Sequence, residues 1–189
     1  MKIESRKQEI ITTAAKLFKE KGYSAVTMRD IAKVMGIKAA SLYNHITSKQ
    51  DILKDIIISL AETFTDKMAA IRNAELSNVE KLKQIIQLHV DITAGNTFGM
   101  AALNNDWMHL EDELNYYLEL RSNYEKNFRA IIEEGIASEE FSQGNVEVML
   151  FSMLSTLRSL YIWIPKKEDV SPQQLSKDLA SVLINGINI

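Results

Sequence analysis

The 189-residue chain contains no cysteine, which excludes a disulfide framework, a thiolate nucleophile and any zinc site built on sulfur. Proline is nearly missing, at 2 residues, and glycine is sparse, at 7, so long helices are possible almost anywhere. No run of alternating β-branched residues bounded by turn residues competes with the helical pattern. The start, MKIESRKQEII, lacks the apolar stretch of about 7 to 15 residues that marks a secretory leader. Nor does the most apolar segment, VEVMLFSMLSTLRSLYIWI at 146–164, read as a membrane span. Its uncharged run from Val148 to Leu157 is half of the roughly 20 residues a span needs. Arg158 and the hydroxyls of Ser152, Ser155, Thr156 and Ser159 weaken it further. HExxH, a nucleophile elbow and a glycine-rich phosphate loop are all missing. His89, Asp91, His109 and the acidic run Glu111, Asp112 and Glu113 are the only candidates for acid–base or metal chemistry. His89 belongs to the stripe Val79, Leu82, Ile86, His89 and Thr93, which reads as core or pocket. An enzyme is therefore not expected, and neither a metal nor a cofactor is called for. The chain reads as an intracellular, cytoplasmic protein that enters no membrane.

Charge is present but divided. Residues 1–55 carry 11 Lys/Arg against 6 Asp/Glu, a net +5, and the remainder carries 11 against 19, a net −8. A basic end on an acidic body suits a polyanion as partner for that end alone. Capping boxes, in which a Ser or Thr and a polar residue three positions on satisfy free backbone donors, stand at SRKQ (Ser5), TMRD (Thr27), SKQD (Ser48), SNVE (Ser77) and SPQQ (Ser171). With Gly22, Gly36, Gly95, Gly135 and Pro165 as stops, they divide the chain into about nine helices. The expected spans are 6–21, 28–35, 39–45, 49–73, 78–94, 97–109, 111–136, 145–164 and 172–187. The fold class is all-α. No repeat, low-complexity segment or flexible linker interrupts it, so the helix at 49–73 joins the basic end to the acidic body.

Within TMRDIAKVMGIKAASLYNHITSKQDIL, residues 27–53, Met28, Ile31, Ala32 and Met35 form one apolar face. A turn follows at GIK, and Leu42 and Ile46 point inward from the next helix. Two short helices around a Gly-containing turn make a helix-turn-helix. Lys38, Ser41, Tyr43, Asn44 and His45 then face outward, where they can donate to phosphates or base edges.

This segment resembles the tetracycline-repressor (TetR) family of one-component transcriptional regulators. The likeness is dense over residues 10–53, in IITTAAKLFKEKGYSAVT, IAKVMGI and SLYNHITSKQDIL. It implies a three-helix DNA-binding domain at 1–48 and an effector-binding and dimerisation domain at 49–189. It further implies that Thr27 caps the second helix beside a phosphate and that Ser41, Tyr43, His45 and Lys49 contact the DNA backbone. Lys38, Ala39, Ala40 and Asn44 would face base edges. Three positions depart from the family pattern: Lys38 stands where Ser or Thr caps the recognition helix, Ala40 where Gly is frequent, and Ile46 where Phe is common. These departures bear on which operator is read more than on binding itself.

The acidic body holds two further signals. Helix 145–164 is apolar nearly all round, so several sides need cover, and helix 172–187 offers Leu175, Leu179, Val182, Leu183 and Gly186 at helical spacing. Two such helices from each of two subunits would make the four-helix interface of a homodimer, as in the family resembled, and a two-fold dimer matches a palindromic duplex operator. Arg121 lies on the stripe Leu114, Tyr117, Arg121, Tyr124, Phe128 and Ile131, where burial would demand an anion. A protein carboxylate such as Asp106 or Glu111, a helix C-terminus or an acidic ligand would serve. The stretch WMHLEDELNYYLELRSNYEKNFRAIIEEGIASEEF is also similar to members that sense acyl-coenzyme A thioesters. That similarity implies an apolar, anionic small-molecule effector lined by Phe64, Met68, Leu88, Ile92, Phe98, Leu103, Trp107, Tyr117, Arg121, Tyr124, Phe128 and Met153. The function expected is a ligand-responsive repressor. The alternative is a DNA-bound regulator without an effector, which a fully packed body would favour.

Overall fold

In the computed structural model, residues 5–167 and 169–186 are described. The α segments among them are α1 (Arg6–Lys21), α2 (Met28–Val34), α3 (Ala39–Leu42), α4 (Lys49–Asn73), α5 (Asn78–Gly95), α6 (Thr97–Asn105), α7 (Leu114–Ala137), α8 (Val146–Arg158), α9 (Leu160–Trp163) and α10 (Pro172–Asn185). The expected helix at 145–164 is one helical run parted at Ser159 into α8 and α9, so nine expected helices appear as ten segments. The chain is all-helical. Expected residue 187 of the last helix lies outside the described residues.

Each of the five Ser or Thr residues expected as caps accepts from a backbone amide at the start of its helix. Ser5 accepts from the Gln8 amide, Ser77 from Glu80 and Ser171 from Gln174, and Ser48 Oγ accepts from the Asp51 amide at 3.0 Å. Thr27 and Asp30 close a reciprocal box at α2. Asn145, which the sequence pattern did not single out, caps α8 through the amides of Glu147 and Val148.

Three expected helices are shorter than their sequence pattern. The recognition segment is α-helical only over Ala39–Leu42 and continues as a turn through Tyr43, Asn44 and His45. Lys38 occupies its N-cap without a side-chain bond, so the helix lacks one stabilising acceptor. The span 97–109 ends as α-helix at Asn105 and passes into a 3₁₀ turn at Trp107–His109. The span 111–136 opens as a second 3₁₀ turn, Glu111–Glu113, with Glu111 at φ 46°. That left-handed kink ends one helical direction and starts another.

The chain forms two compact units. The first comprises Met1–Ala61 with Phe98–Leu118, and the second Glu62–Thr97 with Glu119–Ile189. In the first, α1 to α3 close on a core that includes Ile10, Phe18, Val26, Ile31, Leu42 and Ile46, all buried. Gly36, at φ 67°, turns α2 into α3, and the Ile37 amide reaches back to the Ala32 carbonyl at 3.0 Å. A side chain there would strain the left-handed backbone.

In the second unit, α10 runs along α5, and α8 and α9 pack against α5 as well. The core side of α8 and α9 is Leu150, Met153, Leu157 and Leu160. Its other side is bare: Val148 is 59 % and Phe151 70 % exposed, and on α10 Val182 is 71 % exposed. The helical run Val146–Lys166 is long and apolar enough, by length and composition, to cross a membrane. Arg158, inside that run, donates to Glu125 Oε1 at 2.6 Å.

Candidate nucleic-acid interface and ligand-facing residues

The helix-turn-helix places its polar residues as the sequence pattern requires. Lys38, Ala40, Ser41, Tyr43, Asn44 and His45 are exposed, Ala39 is half-buried, and Tyr43 keeps 56 % of its surface despite its ring. Leu42 and Ile46 are buried beneath them. Local geometry accounts for this: two apolar residues four apart hold the segment down, and the residues between them must face out. Thr27 is exposed beside the same surface, with its hydroxyl on the Asp30 carboxylate at 2.5 Å. The Thr27 bonds hold the Asp30 carboxyl below the usual carboxylate range.

Lys49 is the exception. Its ammonium donates to the carbonyls of Tyr23 at 2.9 Å and Val26 at 2.8 Å and lies 4.2 Å from the centre of the Tyr23 ring. A cation so held ties the start of α4 to the Tyr23–Ala25 turn. The pairing spans more than twenty residues, which no local pattern announces.

Tyr23 is the centre of a wider knot inside the first unit. Its hydroxyl donates to Gln50 Oε1 at 2.5 Å, and Gln50 Nε2 donates to the His109 carbonyl at 2.5 Å. The His109 ring stacks on Tyr23 at 5.1 Å, and Phe18 meets the same ring edge-on. Burial and the nearby Glu111 and Asp106 carboxylates raise the Tyr23 phenol. Burial likewise raises the Asp106 carboxyl, partly offset by His109 and the Tyr23 backbone amide. Lys54 pairs with Glu113, and Lys19 sits over the Phe98 ring.

The residues expected to line an effector divide between the units. Phe98, Leu103, Trp107 and Tyr117 belong to the first, where Trp107 stacks on Tyr117 at 5.8 Å. Phe64, Met68, Leu88, Ile92, Arg121, Tyr124, Phe128 and Met153 belong to the second. There Phe64, Met68, Tyr124, Phe128 and Met153 are buried, whereas Leu88 and Ile92 are half-buried. The Phe64 ring lies 4.7 Å from His89 and 5.9 Å from Tyr124, and Tyr124 meets Phe128 edge-on at 6.4 Å. His89 Nε2 is 2.8 Å from the Tyr124 hydroxyl. Burial, with a smaller contribution from Arg158, lowers the His89 imidazole to about 3, and burial raises the Tyr124 phenol.

Arg121 is not the buried cation that its place on an apolar stripe suggested. It is half-exposed, and its Nε donates to Glu125 Oε1 at 3.2 Å, one helical turn on. Burial raises the Glu125 carboxyl, but bonds from Arg158 and Arg121 more than offset this and leave it lowered. The helical period keeps Arg121 on the row of Tyr117, Tyr124 and Phe128, and its long side chain carries the guanidinium outward to Glu125. Among the described residues there is no group of three or more His, Cys, Asp and Glu arranged to hold a metal ion.

Comparison with known proteins gives two family matches. Residues 10–56 match "Bacterial regulatory proteins, tetR family", and residues 75–187 match "Tetracyclin repressor-like, C-terminal domain". The HTH-type transcriptional repressor KstR2 of Rhodococcus jostii (strain RHA1) is 24 % identical over 185 residues, covering 96 % of this chain and 91 % of that protein. The fatty acid metabolism regulator protein of Bacillus subtilis (strain 168) is 24 % identical over 186 residues, covering 95 % and 94 %. The solved structure of the ketosteroid transcriptional regulator KstR2 of Mycobacterium tuberculosis superposes with a TM-score of 0.91 at 20 % identity, covering 100 % of this chain and 97 % of that one.

Proposed function

The chain belongs to the tetracycline-repressor family of bacterial regulatory proteins, and from that membership we propose that it is a cytoplasmic repressor that binds a palindromic operator as a homodimer and is released by a small apolar effector. Residues 1–48 are the DNA-binding domain and residues 49–189 the effector-binding and dimerisation domain. The observation that carries the reading is the outward row Lys38, Ser41, Tyr43, Asn44 and His45 above buried Leu42 and Ile46. Thr27, Ser41, Tyr43 and His45 reach phosphates; Lys38, Ala39, Ala40 and Asn44 face base edges. Lys49 is left out of the contacting set, because its ammonium already serves two carbonyls.

Two relatives that carry the words ketosteroid and fatty acid in their names support this effector class. Both words describe an apolar carbon skeleton bearing a carbonyl, and the buried rings of Phe64, Tyr124 and Phe128 in the second unit form an aromatic cluster compatible with such a skeleton. Acyl-coenzyme A thioesters belong to the same class, with Arg121 at the half-exposed edge as a partner for an anionic portion. The bare Val148, Phe151 and Val182 supply the apolar face that a second subunit covers.

The test begins with selection of preferred duplexes from a random pool, followed by titration at several salt concentrations. A two-fold symmetric site with half-sites about 34 to 36 Å apart, a dimer in sedimentation and a steep fall of log K with log salt are expected. Asn44→Ala relaxes one base position, by about 1 to 3 kcal/mol, whereas Tyr43→Phe weakens all sequences alike. Binding that ignores salt, or a monomer on DNA, overturns the reading.

A further inference from the structure

His89 Nδ1 and Thr93 Oγ1 are buried and meet no hydrogen-bond partner among the described residues. The two residues are one turn apart on α5, are 4 % and 0 % exposed, and so share a face of that helix. Buried polar atoms are almost always satisfied, so two orphans side by side point to a group that arrives from outside the chain.

The hydrogen bonding of the neighbours fixes what kind of group it is. A neutral imidazole has one donor and one acceptor nitrogen. If Tyr124 donates to His89 Nε2, the proton sits on Nδ1 and the pair leaves a single orphan, an N–H donor. The opposite tautomer leaves two, a bare Nδ1 acceptor and the Tyr124 O–H, and is disfavoured. Thr93 behaves unlike other hydroxyls of this chain. Thr97, Thr156 and Ser159 each donate to the carbonyl four residues back, at 2.9, 3.0 and 2.8 Å. The Thr93 hydroxyl makes no such bond, so it is free to donate elsewhere.

Resting on the effector reading above, we infer that His89 and Thr93 are a two-donor anchor for one neutral acceptor oxygen of an otherwise apolar ligand, such as the carbonyl of a ketone, ester or thioester. The Phe64 ring, 4.7 Å from His89, and the Tyr124 ring supply the apolar surroundings. Burial keeps His89 uncharged, so the anchor takes a neutral oxygen and leaves any carboxylate or phosphate of the ligand to lie elsewhere.

The chain has three histidines, at 45, 89 and 109, so ¹⁵N-histidine labelling gives a spectrum in which His89→Phe identifies the His89 signals. The full-length protein is titrated with cyclohexanone and, as the ring without the oxygen, cyclohexane. Cyclohexanone is expected to shift the His89 Nδ1 resonance, and cyclohexane to leave it in place. Thr93→Val keeps shape and removes the hydroxyl. Its melting temperature is expected to hold or rise, because an orphan has gone, while its affinity for cyclohexanone falls at least about fivefold. Equal responses to the two compounds, no response to either, or unchanged affinity in Thr93→Val overturns the anchor.

Operator affinity read on the same samples separates this inference from the one beneath it. A His89 shift with operator binding unmoved by any compound, palmitoyl-coenzyme A included, supports the anchor and overturns effector control. Release of the operator by palmitoyl-coenzyme A, with His89 indifferent to cyclohexanone, overturns the anchor and leaves effector control standing.

Discussion

A histidine in an apolar box has consequences that reach the stability of the protein as a function of pH. His89 titrates near 3 when folded and near the ordinary 6.5 when unfolded, so the unfolded state binds the proton more readily. The contribution of His89 is therefore whole above about pH 6.5 and is lost progressively as pH falls toward 3, with a slope approaching about 1.4 kcal/mol per pH unit. His89→Phe, whatever its stability at neutral pH, is expected to flatten the fall of melting temperature between pH 6.5 and 4.5; parallel curves for the two proteins would show that the buried imidazole does not drive the acid response. Arg121 teaches the opposite lesson about single residues. Its place on an apolar stripe suggested a buried charge, yet the chain turns it half outward onto Glu125, four positions on. That spacing is the ordinary helical ion pair, and it takes the place of Asp106 and Glu111, the carboxylates expected from the sequence. The second hand on Glu125, Arg158, comes from 33 positions away and was not legible in the sequence.

Elements were most legible where their ends are fixed by neighbours in sequence. All five Ser or Thr caps form because the cap needs only a side chain and an amide three residues on, whatever the rest of the chain does. The breaks inside expected helices were not legible. The Trp107–His109 and Glu111–Glu113 turns, and the parting of α8 from α9 at Ser159, carry no Gly or Pro, and tertiary packing decides them. The outward row of the recognition helix was readable from Leu42 and Ile46, while the Tyr23, Lys49 and Gln50 contacts beside it were not, because each joins residues more than twenty apart. The bare N-cap of α3 carries its own expectation. Lys38→Thr supplies the missing acceptor and should stabilise the protein by about 0.5 to 1 kcal/mol in a denaturant titration, while weakening operator binding if Lys38 reads a base edge. A variant no more stable than the parent would show that the short α3 has no free amide within reach of the new hydroxyl.

At the scale of the whole molecule, the exposed Val148 and Phe151 on α8 and Val182 on α10 are the apolar residues that the proposed dimer would cover. Phe151→Glu should raise the dimer dissociation constant at least about tenfold and lower operator affinity with it, since a charge buried without a partner costs several kcal/mol. Analytical ultracentrifugation alongside the DNA titration reads both, and a variant that stays dimeric would move the interface to another face. The Tyr23 knot bears on how such proteins are assembled over time from interchangeable parts. It draws together Tyr23, the Lys49 and Gln50 pair and His109, three stretches far apart along the gene. A recombination that exchanges only residues 1–48 between relatives parts Tyr23 from both of its polar partners at a stroke. Exchange of DNA specificity by cassette is thus favoured between relatives that keep the same residues at all three places, and a grafted reading head travels best when positions 49–61 and 98–118 come with it.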